Sequence, residues 1–148
     1  EKLVRGQSEL RDYIDTLRQA PGEADASDAL RELAGRLERQ WGIACDTSHV
    51  ADGLSLPARL LGEVRQLVRE MVANAVRHGR ARHIALRLAR TGDTVELGVR
   101  DDGSGFAGAA APAAPWSLQE RVASLGGQLG LATGPGGSDI AVMLRISE

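Results

Sequence analysis

Polar side chains on one predicted helix have the types and spacing needed to hold a metal-bound phosphate ligand. Glu70, Asn74 and His78 follow one another at intervals of four residues, and Arg77 stands beside them. Each interval advances only about 40° around a helix, so the three side chains form one stripe. A carboxamide oxygen can ligate Mg²⁺, a carboxylate can orient or deprotonate an attacking group, and a guanidinium can contact phosphate. A solvated helix border has the same composition, so both interpretations stay open at this point.

A second polar group directly follows an apolar strand, in a segment that begins with Asp101 and Asp102. The ionised carboxylate of Asp101 only accepts hydrogen bonds, so it could recognise an exocyclic amine such as that of adenine. Gly103 and Gly105 would let the backbone approach a ligand closely. An ordinary acidic turn has the same residues. The segment is neither a Rossmann nor a P-loop pattern, because no G-x-G-x-x-G opens a helix and no G-K-[ST] is present.

The elements that must position these groups can be read from hydrophobic periodicity and from turn residues. We expect Asp25 or Ser27 to cap the second helix, and Ser55 to cap the third, with Pro57 in the first turn of that helix. We expect Gly79 to stop the third helix. Helices are predicted at 1–19, 28–40, 55–78 and 117–125, and strands at 43–47, 82–90, 94–100, 128–133 and 139–146. Residues 107–115 show no periodicity and are predicted to be a loop. This order predicts an α+β fold, a two-layer sandwich with a mixed sheet and helices on one face.

Composition narrows the class of protein. The chain has 148 residues, 43% hydrophobic and 26% charged, which suits one globular domain. Its net charge of −2 argues against general nucleic-acid binding. The single cysteine excludes an internal disulfide. Together with the three scattered histidines, it shows none of the spacings typical of a zinc site. No apolar run is long enough to cross a bilayer, and no secretion signal is visible. Because the chain opens inside a predicted helix at Glu1, we expect a fragment of a longer protein.

Taken together and in order, these segments resemble one known family. The resemblance is carried by segments 70–78, 99–106, 119–127 and 135–138. They are similar to the catalytic, ATP-binding domain of bacterial sensor histidine kinases, which belongs to the GHKL superfamily and has the Bergerat fold. The nearest resemblance is to the subfamily whose partners are NarL-type response regulators. The resemblance implies ATP and Mg²⁺ as cofactors and transfer of the γ-phosphoryl group to a histidine on a dimerisation helix.

The resemblance also implies roles for individual residues. Asn74 matches the residue that holds Mg²⁺, and Glu70 matches an acidic residue thought to activate the accepting histidine. Arg77 and His78 match positions that contact the nucleotide. The remaining matches are Asp101, which would recognise adenine, the glycines Gly103 and Gly105, and Ser138, which stands where the family usually has Thr near the base.

The same resemblance divides the chain and locates it in the cell. Residues 1–22 look like the end of a dimerisation helix, and 26–148 would form the catalytic domain. The alternative for residues 1–19 is a helix that packs on its own domain. We expect a cytoplasmic domain of a membrane-anchored sensor that is a homodimer at full length, with a response regulator as partner and no nucleic acid.

Two departures from the family pattern keep alternatives open. None of His49, His78 and His83 is followed by an acidic residue, so the phosphoacceptor motif is missing. Residues 112–115 are Pro-Ala-Ala-Pro where the family has glycines, although proline has no N–H to offer a phosphate. The alternatives are therefore a nucleotide-binding module with a degenerate lid, acting as a pseudokinase, or an anti-sigma-type serine kinase.

Overall fold

The computed structural model describes residues 23–103, 116–134 and 136–146. Its helices are α1 (Ala26–Trp41), α2 (Ala58–Gly79) and α3 (Trp116–Ser124). Its strands are β1 (Glu23–Asp25), β2 (Ala44–Val50), β3 (Ser55–Pro57), β4 (His83–Thr91), β5 (Thr94–Asp101), β6 (Gln128–Gly134) and β7 (Gly137–Arg145). The predictions for residues 1–22 and 107–115, a helix and a loop, lie outside the described residues.

Five strands form a mixed sheet, as predicted. Their order across the sheet is β2-β4-β5-β7-β6. β2 runs parallel to β4, and the other neighbouring pairs are antiparallel. The central pairing of β5 with β7 places Asp101 opposite Ser138. Two residues that lie far apart in the sequence, and that the family resemblance had assigned to one ligand, are therefore neighbours across the sheet.

Alternation along the strands gives the sheet one apolar face. Leu86 on β4 and Leu97 on β5 are fully buried, whereas Glu96 and Arg100, at alternate positions of β5, are exposed. The buried face forms one core with the apolar sides of all three described helices. The structure is thus the two-layer α+β sandwich that the sequence predicts, with the helices on one face of the sheet.

The start of α2 differs from the prediction. Ser55 does not cap the helix: it lies in β3, which pairs with β1 in a separate two-stranded sheet, and its hydroxyl donates to Glu23 Oε1 at 2.9 Å. Pro57 is the residue before the first turn and makes no side-chain cap. The segment Ser55-Leu56-Pro57 is ambiguous in the sequence. A Ser shortly before a Pro is typical of the start of a capped helix, but a Pro is also tolerated in an edge strand.

The other helix ends follow the predictions more closely. Asp25 caps α1 by accepting from Asp28 N at 3.0 Å, and Gly42 ends it with φ of 69°. Ser27 lies inside the helix, where its buried hydroxyl accepts from Leu54 N at 2.8 Å. Gly79, expected to stop α2, is still helical. The left-handed position falls at Arg80, φ 56°, because the N–H of Ala81 reaches back to the Ala75 carbonyl and closes the helix there.

Within the described ranges, no helix combines the length and the apolar character needed to span a membrane.

Candidate functional site

The polar edge of α2 borders the core. Glu70 and Asn74 are half-buried one turn apart, and Arg77 and His78 are exposed in the last turn. The helix takes this orientation because its adjacent side buries an apolar stripe: Val64, Leu67, Val68, Met71, Val72 and Ala75. The predicted stripe is therefore fixed in direction by core packing, and its first members lie where water is partly excluded.

Glu70 has an ionic partner that the sequence reading did not single out. Arg121 on α3 donates from Nε to Glu70 Oε1 at 3.2 Å. The Glu70 side chain is 19% exposed and that of Arg121 is 40% exposed. The two residues lie 51 positions apart, and the only sequence signal was the position of Arg121 inside one of the family-like segments.

Arg77 contacts the end of α1. Its guanidinium carbon lies 5.4 Å from the centroid of the Trp41 ring, within the range of a cation–π contact. Both residues come from helix ends, and the contact holds the last turn of α2 against α1. A phosphate ligand would have to draw Arg77 from this ring or bind beside it.

Asp101 ends β5 and is the only buried charged residue among those described. It is 8% exposed, and its Oδ1 accepts the backbone N–H of Gly103 at 2.9 Å. Burial raises the pKa of this carboxyl, and backbone N–H groups of Gly103 and Ser138 work against that rise. A carboxylate in this position can accept a hydrogen bond from a ligand amine with little competition from water.

Ser138 completes this cluster from the neighbouring strand. It is 3% exposed, and its hydroxyl lies 3.1 Å from Thr133 Oγ1 on β6. The register of β5 with β7 places it beside Asp101. Ser138 is thus brought together with Asp101 and Gly103, which were predicted from a separate segment.

Close backbone packing joins this cluster to α2. A Cβ on Gly103 would overlap the carbonyl oxygen of Gly79, the last residue of α2. A Cβ on Gly137 would overlap the carbonyl oxygen of Asp101, and Gly137 has φ of 134°. Both positions therefore require glycine, Gly103 for space and Gly137 for space and conformation. The sequence reading gave Gly137 no role; its signal was a Gly-Gly pair that looked like a simple turn.

Asp102, beside Asp101, has a structural role. Its Oδ1 accepts the backbone N–H groups of Arg82 and His83, each at 2.9 Å, and its Oδ2 lies 2.7 Å from His83 Nδ1. These hydrogen bonds lower the pKa of Asp102 to about 2. The neighbouring carboxylates thus differ: Asp101 is buried behind the strand end, and Asp102 ties that end to the start of β4.

The remaining predicted positions cannot be placed. Gly105 and the Pro-Ala-Ala-Pro segment at 112–115 lie outside the described residues, as do residues 1–22 and Pro135. Among the residues described, no group of three or more His, Cys, Asp or Glu side chains could hold a metal by itself. A divalent cation at Asn74 would therefore need oxygens from its ligand, as Mg²⁺ commonly has when it is bound with phosphates.

Comparisons with known proteins agree on one family. Residues 20–145 match the family described as "Histidine kinase-like ATPase domain". The chain is 29% identical over 95% of its length to the nitrate/nitrite sensor protein NarQ of Escherichia coli, covering 26% of that protein. It is 27% identical over 82% of its length to the sensor histidine kinase LnrJ of Bacillus subtilis, covering 30% of that protein. The chain thus spans less than a third of the length of these relatives.

A solved structure shows the same fold. The ATP-binding domain of PrrB from Mycobacterium tuberculosis superposes with a TM-score of 0.62 and 25% identity, over 85% of this chain and 97% of that one.

Proposed function

The chain belongs to the histidine kinase-like ATPase domain family, and we propose that it is the ATP-binding catalytic domain of a two-component sensor histidine kinase. One observation carries the proposal: a buried carboxylate, Asp101, lies at a strand end that packs through Gly103 against the end of the helix bearing Glu70 and Asn74. The acid that would recognise the base and the helix edge that would face the phosphates therefore belong to neighbouring parts of the fold.

Asp101 would fix the base. An adenine amine donates and a carboxylate only accepts, so the pair is complementary. Guanine has a carbonyl oxygen at the same place, which cannot donate a hydrogen bond to the carboxylate. Gly103, which has no side chain, would leave room for the purine to approach the backbone. Ser138 would supply a hydroxyl beside the base.

Asn74 would hold Mg²⁺ together with the phosphates. The donor set fits a hard cation, since a half-buried amide and a carboxylate one turn away each offer oxygen ligands. Mg²⁺, when bound, would neutralise charge on the phosphate oxygens. Arg77 and His78, both exposed, would contact the nucleotide from the last turn of α2.

Glu70 would act on the phosphoryl acceptor. An imidazole nitrogen of the accepting histidine attacks the γ-phosphorus, the bond to the β–γ bridging oxygen breaks, and ADP leaves. Glu70 would orient the imidazole and accept the proton that its other nitrogen gives up. Most of the rate enhancement in such a transfer comes from positioning and charge stabilisation.

The surroundings of the domain are part of the proposal. The acceptor histidine would lie on a dimerisation domain whose last helix includes residues 1–22, the kinase would be a homodimer, and a response regulator would receive the phosphoryl group. We further propose a regulator of the NarL type and a sensor anchored in the membrane, with this domain on the cytoplasmic side; similarity to a nitrate/nitrite sensor protein supports a role in sensing.

Calorimetric titration of the protein with ATP, with and without Mg²⁺, tests the proposal. We expect a dissociation constant between micromolar and millimolar, which corresponds to a binding free energy of about −4 to −8 kcal/mol. Asn74→Ala is expected to abolish the Mg²⁺-dependent part of the binding and to leave the circular dichroism spectrum unchanged. Gln66→Ala, a half-buried amide on the same helix, is the matched control and should bind like the parent.

The results separate this proposal from its rivals. Binding that does not depend on Mg²⁺ or on Asn74 would remove that residue from the site. No binding at several millimolar nucleotide would favour the degenerate module that Pro112 and Pro115 suggest. Phosphorylation of a serine on an added substrate would favour the anti-sigma-type kinase.

A further inference from the structure

The ion pair between Glu70 and Arg121 joins two helices at the edge of the candidate site. Arg121 Nε donates to Glu70 Oε1 at 3.2 Å, and the carboxylate is 19% exposed while the arginine is 40% exposed. Because the Glu70 side chain is mostly withdrawn from water, its carboxylate needs protein partners, and Arg121 supplies one from a separate element.

Helix α3 does not need this contact to stay in place. Its inner side buries Leu118, 0% exposed, and Val122, 1% exposed, in the common core. Its end is closed by the N–H of Gly127, which donates to the Val122 carbonyl at 2.9 Å. Apolar burial on this scale fixes a helix far more strongly than one partly exposed ion pair. The ion pair is therefore not required to hold α3 against the core.

The geometry suits the orientation of a carboxylate. An Nε–H has a fixed direction in the guanidinium plane, so a carboxylate oxygen that accepts from it loses rotational freedom. Arg121 precedes the buried Val122 in the helix, so core packing holds the backbone of the arginine in place. The position of α3 in this way sets the orientation of the Glu70 carboxylate, one turn before Asn74.

We propose that Arg121 is a positioning residue for phosphoryl transfer: it holds the Glu70 carboxylate in the orientation in which Glu70 meets the accepting histidine. This inference rests on the proposed function. Arg121 acts through Glu70 and not on the nucleotide, so its loss slows transfer and leaves nucleotide affinity as it was.

The test uses Arg121→Gln and Arg121→Lys in the kinase that contains its acceptor histidine. Arg121→Gln is expected to lower the kcat of autophosphorylation about tenfold or more, with the dissociation constant for Mg·ATP changed by less than about threefold. Arg121→Lys, which keeps the charge but has no planar Nε–H, should recover only part of the rate and stay at least about threefold below the parent.

Arg87→Gln is the matched control. Arg87 pairs with Asp139 at 3.0 Å on the open face of the sheet, with exposures of 30% and 36%. Loss of this comparable pair should leave kcat unchanged. An Arg121→Gln protein that fails to fold while Arg87→Gln folds would make the Glu70 pair a structural one and overturn the proposal.

A double variant decides whether Arg121 acts through Glu70. In a Glu70→Gln background, Arg121→Gln is expected to cost less than about twofold in kcat, because the group it orients is gone. Independent, multiplying losses would overturn the proposal, and so would a weaker nucleotide affinity with kcat intact, which would put Arg121 on the nucleotide.

The proposed function fails separately. If the parent neither binds Mg·ATP nor becomes phosphorylated, the kinase assignment falls. If it does both and Arg121→Gln is as fast as the parent, only the role of Arg121 falls. If Glu70→Gln transfers at the parent rate, Arg121 has no carboxylate to orient, and the inference falls while nucleotide binding stands.

Discussion

The two sides of the candidate site are built in different ways. The strand-end cluster consists of the buried Asp101, Gly103 and Ser138 with the half-buried Gly137, and it depends on backbone contacts between β5, β7 and the end of α2. The polar edge of α2 consists of side chains, half-buried at Glu70 and exposed at His78. One side is rigid by packing, and the other depends on rotamers and ion pairs.

This difference teaches what each side can do. A buried carboxylate between two antiparallel strands cannot move without disturbing the sheet, which suits the recognition of a rigid group such as a base. Side chains on a helix edge can change partners as a charged ligand arrives, which suits phosphates that are first bound and then transferred. The arginine–tryptophan contact at the end of α2 is one such partner that a ligand could replace.

The largest expected effect comes from filling the rigid side. Gly137→Ala places a Cβ against the carbonyl oxygen of Asp101 at a φ of 134°, so β5 and β7 must separate locally. We expect a loss of about 3 kcal/mol in the free energy of unfolding, together with loss of nucleotide binding. Chemical denaturation monitored by circular dichroism measures the first, and calorimetry the second.

Gly136→Ala is the control for this substitution. Gly136 is the preceding residue, and a Cβ there meets nothing within 4 Å. Its variant should lie within about 0.5 kcal/mol of the parent. Equal stability of the two variants would contradict the rigidity attributed to the strand-end cluster.

A smaller effect is expected from changing the charge of Asp101 without its shape. In Asp101→Asn, the amide oxygen can still accept from Gly103 N, but the ligand amine loses a charged acceptor. ATP affinity should fall by about 1.5–3 kcal/mol, roughly tenfold to a hundredfold, with folding preserved. Fluorescence titration with ATP and GTP measures both the loss and the weakened preference for adenine.

Asp102→Asn is the neighbouring control, since this carboxylate bonds to the start of β4 and not to the strand-end cluster. We expect ATP affinity to change by less than about threefold. A larger loss than in Asp101→Asn would assign base recognition to the wrong aspartate.

The smallest effect concerns pH. Burial raises the pKa of Asp101, so this group takes up a proton at a higher pH than an ordinary aspartate as the medium is acidified. The protonated form is the one that burial favours, so Asp101 does not destabilise the fold on acidification; it only loses the charge that strengthens its hydrogen bond to the base. The ratio of parent to Asp101→Asn affinity for ATP should therefore shrink as the medium is acidified from neutrality, at a higher pH than an ordinary aspartate would allow.

Asp102 gives the opposite sign. Its folded pKa of about 2 lies below the usual value of 3.8, so the stability it contributes is complete above that value and is lost as pH falls from there towards 2. Thermal melts of the parent and Asp102→Asn should differ at neutral pH and converge in this acid range.

The Asp101 prediction has its own contradicting result. A parent-to-Asp101→Asn affinity ratio that is constant across pH would show that Asp101 does not titrate at the site.

Periodicity found the large elements because burial imposes it. α2 was predicted over nearly its whole length, since its apolar stripe repeats with the period of a helix. The five strands of the main sheet were also predicted, two of them (β4 and β5) through alternation and the last two through the turn between them, with ends displaced by up to three residues. The short β3 was missed because three residues carry no periodic signal, and its pairing with β1 depends on a contact between segments about thirty residues apart.

The individual residues of the candidate site divide in the same way. Glu70 and Asn74 could be named because one helix fixes their spacing. The roles of Arg121 and Gly137 could not, because each depends on an element remote in sequence: Arg121 on α2, and Gly137 on the end of β5.

The sequence by itself determined the fold class, the helix that carries the polar stripe and the family-like segments, because local periodicity and spacing are encoded within each segment. The tertiary structure alone decided that Asp101 is buried beside Ser138, that Gly103 meets the end of α2 and that Glu70 is held by Arg121. These are contacts between segments brought together by packing one sheet face against three helices, and no local pattern contains them.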